Sequence, residues 1–333
     1  MRAMRMHEYG GTDKIRHDEI DRPAPGPGEV LVKVAATSFN PSEIGLRRGL
    51  LAAVIELDLP YVMGWDLSGT VTGTGERVIG RLDGGAAAEF VAAPANLLVR
   101  APKNVPLADA AALPIAGVTA WQAVFEHANV KPGDRVLING VGAIGRYAIQ
   151  LARHAGAHVI ARTRNVDAAR AAGAHEVADP AEPQTAAAHA LGDARKPRAS
   201  SVPAVADARR PVADAGRPVA EPTEPRAADA DAVAEPIEPV DVLIHLVPAP
   251  PPIGWLRTGG RLVSATTPAA ELPDGGIHFV VRNDTADLAA LVELVEAGIV
   301  TVDVAGRRPL ADLPDVHREA EAGRLAGKTV LLA

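Results

Sequence analysis

Residues 138–150 read Ile-Asn-Gly-Val-Gly-Ala-Ile-Gly-Arg-Tyr-Ala-Ile-Gln, and this stretch decides the fold. Its glycines at positions 140, 142 and 145 fit the pattern G-x-G-x-x-G. The run Arg135–Ile138 in front of them predicts a buried strand, and the apolar spacing behind them predicts a helix over Ile144–His154. Three glycines at a strand-to-helix turn indicate a dinucleotide-binding site, whereas the same spacing elsewhere is weak evidence.

The glycines of this turn have steric reasons to be there. Gly140 and Gly142 lack the Cβ that would block the tight turn or the approach of a pyrophosphate, and Gly145 lets the helix pack closely on the strand. At the helix N-terminus, the backbone around Ala143 and Ile144 is expected to face the anion. The alternative is a glycine-rich turn that binds nothing, and the second strand that follows at once weighs against it.

That second predicted strand, His158–Ala161, ends at the point where nicotinamide cofactors are distinguished. NAD-binding proteins usually place Asp or Glu there to bind the ribose 2′-hydroxyl. This chain instead places Arg162, Thr163 and Arg164 there, and guanidinium groups pair well with a 2′-phosphate. The sequence therefore predicts NADP(H), the alternative being that both arginines are ordinary solvated surface charges.

Composition and charge exclude several classes of function. The chain has 333 residues, enough for two domains with sizeable cores, and a net charge of −7. That charge does not favour nucleic acid or a membrane surface, and no apolar run is long enough to span a bilayer. The absence of cysteine excludes disulfides and thiolate zinc sites. Because the N-terminus lacks a secretory signal pattern, we expect a cytoplasmic protein.

The rest of the chain shows two patterns of predicted secondary structure. From Val136 onward, predicted strands and helices alternate, which indicates an α/β fold with a doubly wound parallel sheet. The N-terminal part is β-rich instead, with short strands that are separated by turns rich in glycine and proline. These predicted strands are Val30–Val34, Leu67–Thr72, Arg77–Ile79 and Ala88–Val91.

A segment at about 181–239 fits neither of these patterns. It is dominated by Ala, Pro, Asp, Glu and Arg, so it has too little apolar surface to offset its ordering entropy, and we predict a disordered insertion. A buried strand is predicted again at Val240–Ile244. The proline-rich stretch Val247–Pro252 that follows leaves room for a helical turn at most.

Further motifs occur in an order typical of one enzyme family. Together with the glycine motif, they make the chain resemble a zinc-independent medium-chain dehydrogenase/reductase of the quinone oxidoreductase (zeta-crystallin-like) group. The resemblance covers nearly the whole chain except the insertion, and it is specific for family but weak for substrate. The motifs that carry it lie at residues 25–34, 40–43, 63–69, 75–80, 117–120, 130–137, 259–263 and 327–331.

The resemblance implies a domain organisation. A GroES-like β-rich catalytic domain is expected from residues 1–113 and 283–333, and a Rossmann NADP-binding domain from residues 114–282. The insertion lies within the second of these. The resemblance also implies a homodimer.

The resemblance further shows which metal ligands this chain lacks. Zinc-dependent relatives carry a cysteine ligand where Asn40 stands and a His-Glu pair where Trp65 and Asp66 stand. Asn and Trp are poor zinc ligands, so no metal is expected. His245 and His317 show no paired ligand spacing, and we interpret His245 as a satisfied histidine of the core or the crevice rather than a ligand or an acid.

Site residues are also implied by the resemblance. Asn40 matches the family asparagine near the nicotinamide, and we predict that it is catalytic and cofactor-binding, the alternative being a turn residue before Pro41. Thr119, which we place before a helix, matches a threonine that contacts the cofactor, the alternative being a helix cap. Further cofactor contacts are expected from Leu246 and Ala265. An apolar acceptor pocket, or else core, is expected from Leu50, Tyr61 and Trp65.

The predicted function is NADPH-dependent, zinc-independent hydride transfer to a small molecule, either a quinone or an α,β-unsaturated carbonyl. Two alternatives stay open. One is a trans-acting enoyl reductase on a polyketide or acyl-thioester intermediate, for which Arg47 and Arg48 are candidate basic groups. The other is a non-catalytic NADPH-binding protein.

Overall fold

The computed structural model of this protein describes residues 1–181 and 238–333. The insertion predicted at about 181–239 falls outside these described residues, apart from its edges. The helices are α1 (Ser42–Arg47), α2 (Pro114–Trp121), α3 (Ala143–His154), α4 (Val166–Ala171), α5 (Thr285–Glu296) and α6 (Leu313–Glu321). The strands are β1 (Arg2–Met6), β2 (Ile15–Glu19), β3 (Glu29–Ser38), β4 (Tyr61–Val62), β5 (Asp66–Val71), β6 (Arg77–Arg81), β7 (Phe90–Pro94), β8 (Leu98–Arg100), β9 (Arg135–Asn139), β10 (His158–Arg162), β11 (Glu176–Ala178), β12 (Val240–His245), β13 (Leu256–Ser264), β14 (Ile277–His278), β15 (Gly306–Pro309) and β16 (Thr329–Leu332).

A six-stranded sheet carries the glycine motif. Its order is β11-β10-β9-β12-β13-β14, and every pairing in it is parallel. This is the order of a doubly wound dinucleotide-binding sheet. From β9, strands β10 and β11 are added on one side, and β12 to β14 are then added on the other side, so the switch point of the strand order lies between β9 and β12. Ligands of such sheets bind at the carboxyl ends of the strands at that switch point.

The predicted elements of this sheet are confirmed, with boundaries that differ by a residue. The run Arg135–Ile138 becomes β9, the glycine turn opens α3, and His158–Ala161 becomes β10. The centres of β9, β10 and β12 are fully buried because helices cover the sheet, as their apolar sequences require. In the proline-rich region only a short 3₁₀ turn forms, at Ile253–Trp255, as expected.

A second sheet collects the β-rich N-terminal part. Its order is β15-β16-β3-β5-β6-β8, with β7 also paired to β3. Strand β16 comes from the other end of the described chain, and its Val330 pairs with Ser38 of β3. The fold class is therefore confirmed: a GroES-like β-rich part that includes C-terminal strands, beside a Rossmann-like parallel sheet. The exact domain boundaries stay a prediction.

One predicted strand is displaced. The sequence pattern places a strand at Ala88–Val91, whereas β7 runs over Phe90–Pro94. The register explains the shift, because Val32 pairs with Val91 and the ladder then extends to Pro94. The chain also forms a third sheet, with the strand order β2-β1-β4. In the two described ranges, no helix is both long and apolar enough to cross a bilayer.

Candidate active site

At two positions of the glycine turn after β9, neighbouring protein atoms leave no room for a side chain. Gly140 has a φ of +107°, which side-chain-bearing residues rarely adopt, and a Cβ there would lie 2.5 Å from Cγ1 of Val247. A Cβ on Gly145 would overlap the carbonyl oxygen of Gly140. These two glycines are therefore required by the packing of the turn against its neighbours, as the sequence predicts.

Gly142 differs from the other two glycines of the turn. Its φ of −79° suits any residue, and among residues 1–181 and 238–333, its chain neighbours aside, no atom lies within 4 Å of a Cβ built there. Gly142 is also the N-cap of α3, so the open space lies at a helix N-terminus, where Ala143 and Ile144 begin the first turn. Unpaired N–H groups and the helix dipole make this space suitable for the pyrophosphate of a dinucleotide.

The last residues of three neighbouring strands are joined by hydrogen bonds at the switch point. Arg162 Nη1 donates to Asn139 Oδ1 at 3.3 Å, and Asn139 Nδ2 lies 2.7 Å from His245 Nδ1. His245 Nε2 donates to the Ala249 carbonyl at 2.6 Å, which leaves Nδ1 as the acceptor. Burial lowers the pKa of His245. The histidine is buried and satisfied, and it ties the proline-rich loop to the sheet edge.

The structure distinguishes the two arginines that the sequence treats alike. Arg162 Nη2 donates to the Pro180 carbonyl at 2.5 Å, so this guanidinium is partly buried and bonded within the protein. Arg164 is exposed, and within residues 1–181 and 238–333 its side chain has neither a hydrogen bond nor an ion pair. Thr163 Oγ1 accepts from Asn165 N at 3.1 Å. Arg164 is thus the side chain that is free to meet a phosphate.

Leu246 and Ala265 continue the same edge. Leu246 follows β12, and its N–H donates to the Asn139 carbonyl at 2.9 Å, while Ala265 follows β13 and is half-buried. Beyond them lies a cleft of about 390 Å³ between the proline-rich loop and the segment Thr266–Pro268. The structure therefore brings the predicted cofactor residues of the parallel sheet together along one edge.

Asn40 lies at the end of β3, inside a buried polar group that we call the Asn40 cluster: Ser38, Asn40, Glu43, Asp66 and Lys328. Asn40 itself is only 4% exposed. Its Nδ2 donates to Asp66 Oδ2 at 3.0 Å, and at 3.3 Å to both the Ser38 carbonyl and Glu43 Oε1. Its Oδ1 accepts from Lys328 Nζ at 2.6 Å. Asn40 is therefore more than a turn residue before Pro41.

The charges of the Asn40 cluster come from residues that sequence reasoning missed. Lys328 Nζ lies 3.1 Å from Asp66 Oδ2, and both side chains are almost completely buried. Burial, and next the charge of Asp66, raise the pKa of Glu43 to about 8. Glu43 and Lys328 lie inside family motifs that the sequence analysis used, 40–43 and 327–331, but their polar character gave no sign that they would meet.

The Asn40 cluster is connected through α2 to α3, the helix that follows the glycine turn. Asp66 Oδ1 accepts from the N–H of Ile115, in the first turn of α2, and α2 packs against α3. The prediction that Thr119 precedes a helix is wrong, because Pro114 at the first helical position starts α2 five residues earlier. Thr119 lies within α2, is 4% exposed, and donates to the Ile115 carbonyl at 2.6 Å.

The three residues predicted for an acceptor pocket separate into a pair and a single residue. Trp65 Nε1 donates to the Tyr61 hydroxyl at 3.0 Å, and that hydroxyl donates to the Asp83 carbonyl at 2.6 Å. Both side chains are half-buried. Leu50 instead lies on an apolar surface segment and is 73% exposed. The structure thus brings Tyr61 and Trp65 together and leaves Leu50 outside.

The residues present do not fit a catalytic zinc. Where zinc-dependent relatives carry ligands, this chain has a carboxamide, an indole and a single carboxylate, at Asn40, Trp65 and Asp66. The carboxylate already binds an ammonium group and a backbone N–H. No group of three or more His, Cys, Asp or Glu side chains with metal-site geometry occurs in the part of the chain that the structure describes.

Two protein-family models match the chain. The alcohol dehydrogenase GroES-like domain matches residues 26–103, and the family called zinc-binding dehydrogenase matches residues 224–331. The first covers much of the β-rich sheet around Asn40. The second runs through the carboxyl edge of β12 and β13 to the strand β16.

Two of the curated proteins that are similar to this chain come from plants. A quinone-oxidoreductase homolog, chloroplastic, of Spinacia oleracea is 37% identical over 207 residues, which is 56% of this chain and 63% of that protein. A 2-methylene-furan-3-one reductase of Solanum lycopersicum is 33% identical over 184 residues, which is 49% of this chain and 47% of that protein. This chain therefore matches somewhat less than two thirds of the length of these relatives.

Solved structures share the whole architecture. The quinone oxidoreductase of Coxiella burnetii superimposes with a TM-score of 0.75 at 23% identity, covering 100% of this chain and 99% of the other. At that identity the likeness speaks for the fold alone. The family models and the relatives together make this chain similar in sequence to GroES-like and zinc-binding dehydrogenases and to quinone oxidoreductases, and the solved structures share its fold.

Proposed function

We propose that this protein is an NADPH-dependent oxidoreductase that transfers hydride, without zinc, to a quinone or an α,β-unsaturated carbonyl compound. The observation that carries the proposal is the combination of two sites in one chain. The glycine turn keeps open space for an anion at Gly142, while the positions that hold zinc ligands in zinc-dependent relatives carry the hydrogen-bonded Asn40 cluster, whose residues do not fit zinc.

The space at Gly142 and the strand ends would bind the cofactor. The first N–H groups of α3, above Gly142, would hold the pyrophosphate, and Gly140 and Gly145 keep the turn tight enough for this approach. The reduced nicotinamide, when bound, supplies the hydride. Leu246 and Ala265, at the ends of β12 and β13, would line the carboxyl edge beside it.

Arg164 supports NADPH over NADH. The turn after β10 offers no carboxylate to a ribose 2′-hydroxyl, and the guanidinium of Arg164 is exposed and unbonded among the described residues. A 2′-phosphate there would gain a charge-assisted hydrogen bond at little cost in desolvation. Arg162, by contrast, is already used by Asn139 and the Pro180 carbonyl.

The chemistry of the acceptor follows from what the Asn40 cluster lacks. Oxidation of a simple alcohol needs a metal or a base to generate an alkoxide, and the donor set here does not fit zinc. Neither carboxyl group of the cluster is a ready base, because Asp66 is engaged by Lys328 and the Ile115 N–H, and burial raises the pKa of Glu43 to about 8. Quinones and enones accept hydride with less acid assistance, and a carboxamide such as that of Asn40 can orient their carbonyl oxygen. The names of the two plant relatives support the same two acceptor classes.

The thioester alternative loses part of its support. Arg47, one of its two candidate basic groups, is fully buried and bonded to the Gly10 carbonyl and to Glu321. Arg48 is exposed but lies 2.8 Å from Glu321. Only one partly neutralised guanidinium is left to recognise a phosphopantetheine group, so a free small-molecule acceptor is the better match.

The decisive experiment follows deuterium from C4-labelled NADPH into the products of a panel of quinones and enones. Label on the β-carbon of an enone, or stoichiometric quinone reduction, supports the proposal. Turnover only with acyl-thioesters would establish the enoyl reductase instead. Tight NADPH binding without turnover of any acceptor would establish a cofactor-binding protein.

A homodimer and a cytoplasmic location are further parts of the proposal. The dimer rests on the family resemblance alone, and light scattering on the purified protein measures it directly. The cytoplasmic location rests on the sequence, and fractionation of the source cells tests it.

A further inference from the structure

We propose that Lys328 is a positioning residue for hydride transfer, because its ammonium group fixes which way the Asn40 carboxamide faces. The inference rests on the proposed function, in which Asn40 orients the reacting molecules. Lys328 itself is 3% exposed and sits immediately before β16.

All three N–H donors of Lys328 have partners in the catalytic part of the fold. Nζ donates to Asn40 Oδ1 at 2.6 Å, to Asp66 Oδ2 at 3.1 Å and to the Phe39 carbonyl at 3.2 Å. The pairing of β16 with β3 places the lysine beside the end of β3, where Phe39 N donates to the Thr329 carbonyl. The pairing of β16 with β3 therefore places the ammonium group of Lys328 against the carboxamide of Asn40.

This arrangement allows only one orientation of the carboxamide. An ammonium group has donors and no acceptor, so it accepts only the oxygen of Asn40 as its neighbour. On the other side, Asp66 and Glu43 offer oxygens to Nδ2. Rotating the amide by half a turn would set N–H against N–H and oxygen against oxygen. Lys328 and Asp66 together hold Asn40 against that rotation.

The same arrangement holds one N–H of Asn40 less tightly than the other. One hydrogen of Nδ2 is engaged by Asp66 at 3.0 Å, whereas the acceptors for the other, Ser38 O and Glu43 Oε1, both lie at 3.3 Å. Bonds of that length are weak, and a carbonyl oxygen of a bound molecule can replace them with little reorganisation. The ammonium at Oδ1 also polarises the amide, which strengthens the less tightly held N–H as a donor.

The test is a double-mutant cycle on turnover with NADPH and the best acceptor of the panel. Lys328→Met should lower kcat at least about tenfold, with the Kd for NADPH changed less than about threefold, because orientation rather than cofactor binding is lost. Asn40→Ala should lower kcat to a similar degree. The double variant should be no slower than Asn40→Ala alone, since Lys328 acts only through Asn40.

Two further variants separate positioning from folding. Lys328→Arg keeps the charge and the donors and should recover part of kcat. Lys131→Met is the matched control, since Lys131 Nζ donates to Asn129 Oδ1 at 2.5 Å in an exposed Lys–Asn pair that precedes β9 and has no recorded contact with the Asn40 cluster. It should leave kcat unchanged. Multiplicative losses in the cycle, or a Lys328→Met variant as fast as the wild type, would overturn the inference.

A readout independent of activity keeps the inference separate from the proposed function. With ¹⁵N-asparagine labelling, the side-chain amide signals of Asn40 are those that vanish in Asn40→Ala. In Lys328→Met these signals should shift or broaden, because the amide is no longer held in one orientation. Unchanged signals would refute the role of Lys328. Absence of turnover in the wild type, by contrast, would refute the proposed function and leave the amide signals as the deciding measurement.

Discussion

Glu43 carries a buried carboxyl group whose protonated form the structure favours. Burial, and next the charge of Asp66, raise its pKa to about 8, while the group titrates near 4.5 when unfolded. Between these two values the folded state binds more protons than the unfolded state. The stabilising contribution is therefore complete below about pH 4.5 and is lost as the pH rises through 8.

We predict that this loss appears as a slope in the free energy of unfolding of up to about 1.4 kcal/mol per pH unit. Urea unfolding of the wild type and of Glu43→Gln should be compared across this range, because the difference removes the contribution of other groups. The wild type should lose stability relative to the variant as the pH rises. A constant difference would contradict the assigned pKa.

Arg164 and Arg162 provide a matched pair for cofactor selection. Arg164→Ala should weaken NADPH binding by about 1.5–3 kcal/mol and leave NADH binding almost unchanged, because only the 2′-phosphate contact is removed. Arg162→Ala should weaken both cofactors alike, since Arg162 supports the edge of the sheet through Asn139. Fluorescence titration with both cofactors measures this. Equal losses for the two cofactors in Arg164→Ala would assign the selectivity elsewhere.

Helices α1 and α6 are held together by a buried arginine. Arg47 is fully buried in α1, bonds to the Gly10 carbonyl and Glu321, and lies 3.4 Å through Nε from His317 Nδ1. Burial, and next the charge of Arg47, lower the pKa of His317 to about 3. The histidine therefore stays neutral and can accept from the guanidinium.

We predict that Arg47→Met costs about 1–3 kcal/mol of folding stability, because it leaves the Gly10 carbonyl and His317 Nδ1 without their donor, whereas Glu321 keeps Arg48. Arg48→Met is the control, because Arg48 contacts the same carboxylate from an exposed position and should change stability by less than about 1 kcal/mol. Urea unfolding measures both. Equal effects would show that the burial of Arg47 does not determine its contribution.

The sequence predicted those elements whose signals are local. Strand β9, the glycine turn and α3 follow from adjacent residues, so their type and position were confirmed. Thr119 was misplaced because the helix start depends on Pro114, which the pattern did not single out. The Asn40 cluster escaped prediction for another reason. Its members come from β3, the turn after it, α1, β5 and the residue before β16. No periodicity links residues that only the pairing of distant strands brings together.

At the scale of the whole molecule, the metal question can be tested directly. Because the donor set around Asn40 does not fit zinc, we predict that NADPH turnover survives exhaustive chelation with less than about a twofold loss. Elemental analysis of the same sample should find no stoichiometric zinc. A chelated protein that loses turnover and regains it with added zinc would contradict the prediction. A zinc-dependent alcohol dehydrogenase serves as the positive control for the chelation.

The hydrogen bond between Asn40 and Lys328 cannot form during protein synthesis until the ribosome has made Lys328. The two residues are 288 positions apart, so a ribosome at about 5–20 residues per second makes the lysine roughly 15 to 60 s after the asparagine. During that interval β3 lacks its neighbour β16, and the carboxylate of Asp66 lacks its cation. The parallel sheet, made between them, can fold meanwhile. Under the proposed function, a nascent chain can therefore form the glycine turn before Asn40 has its cation, and we expect turnover only from molecules whose synthesis has passed Lys328.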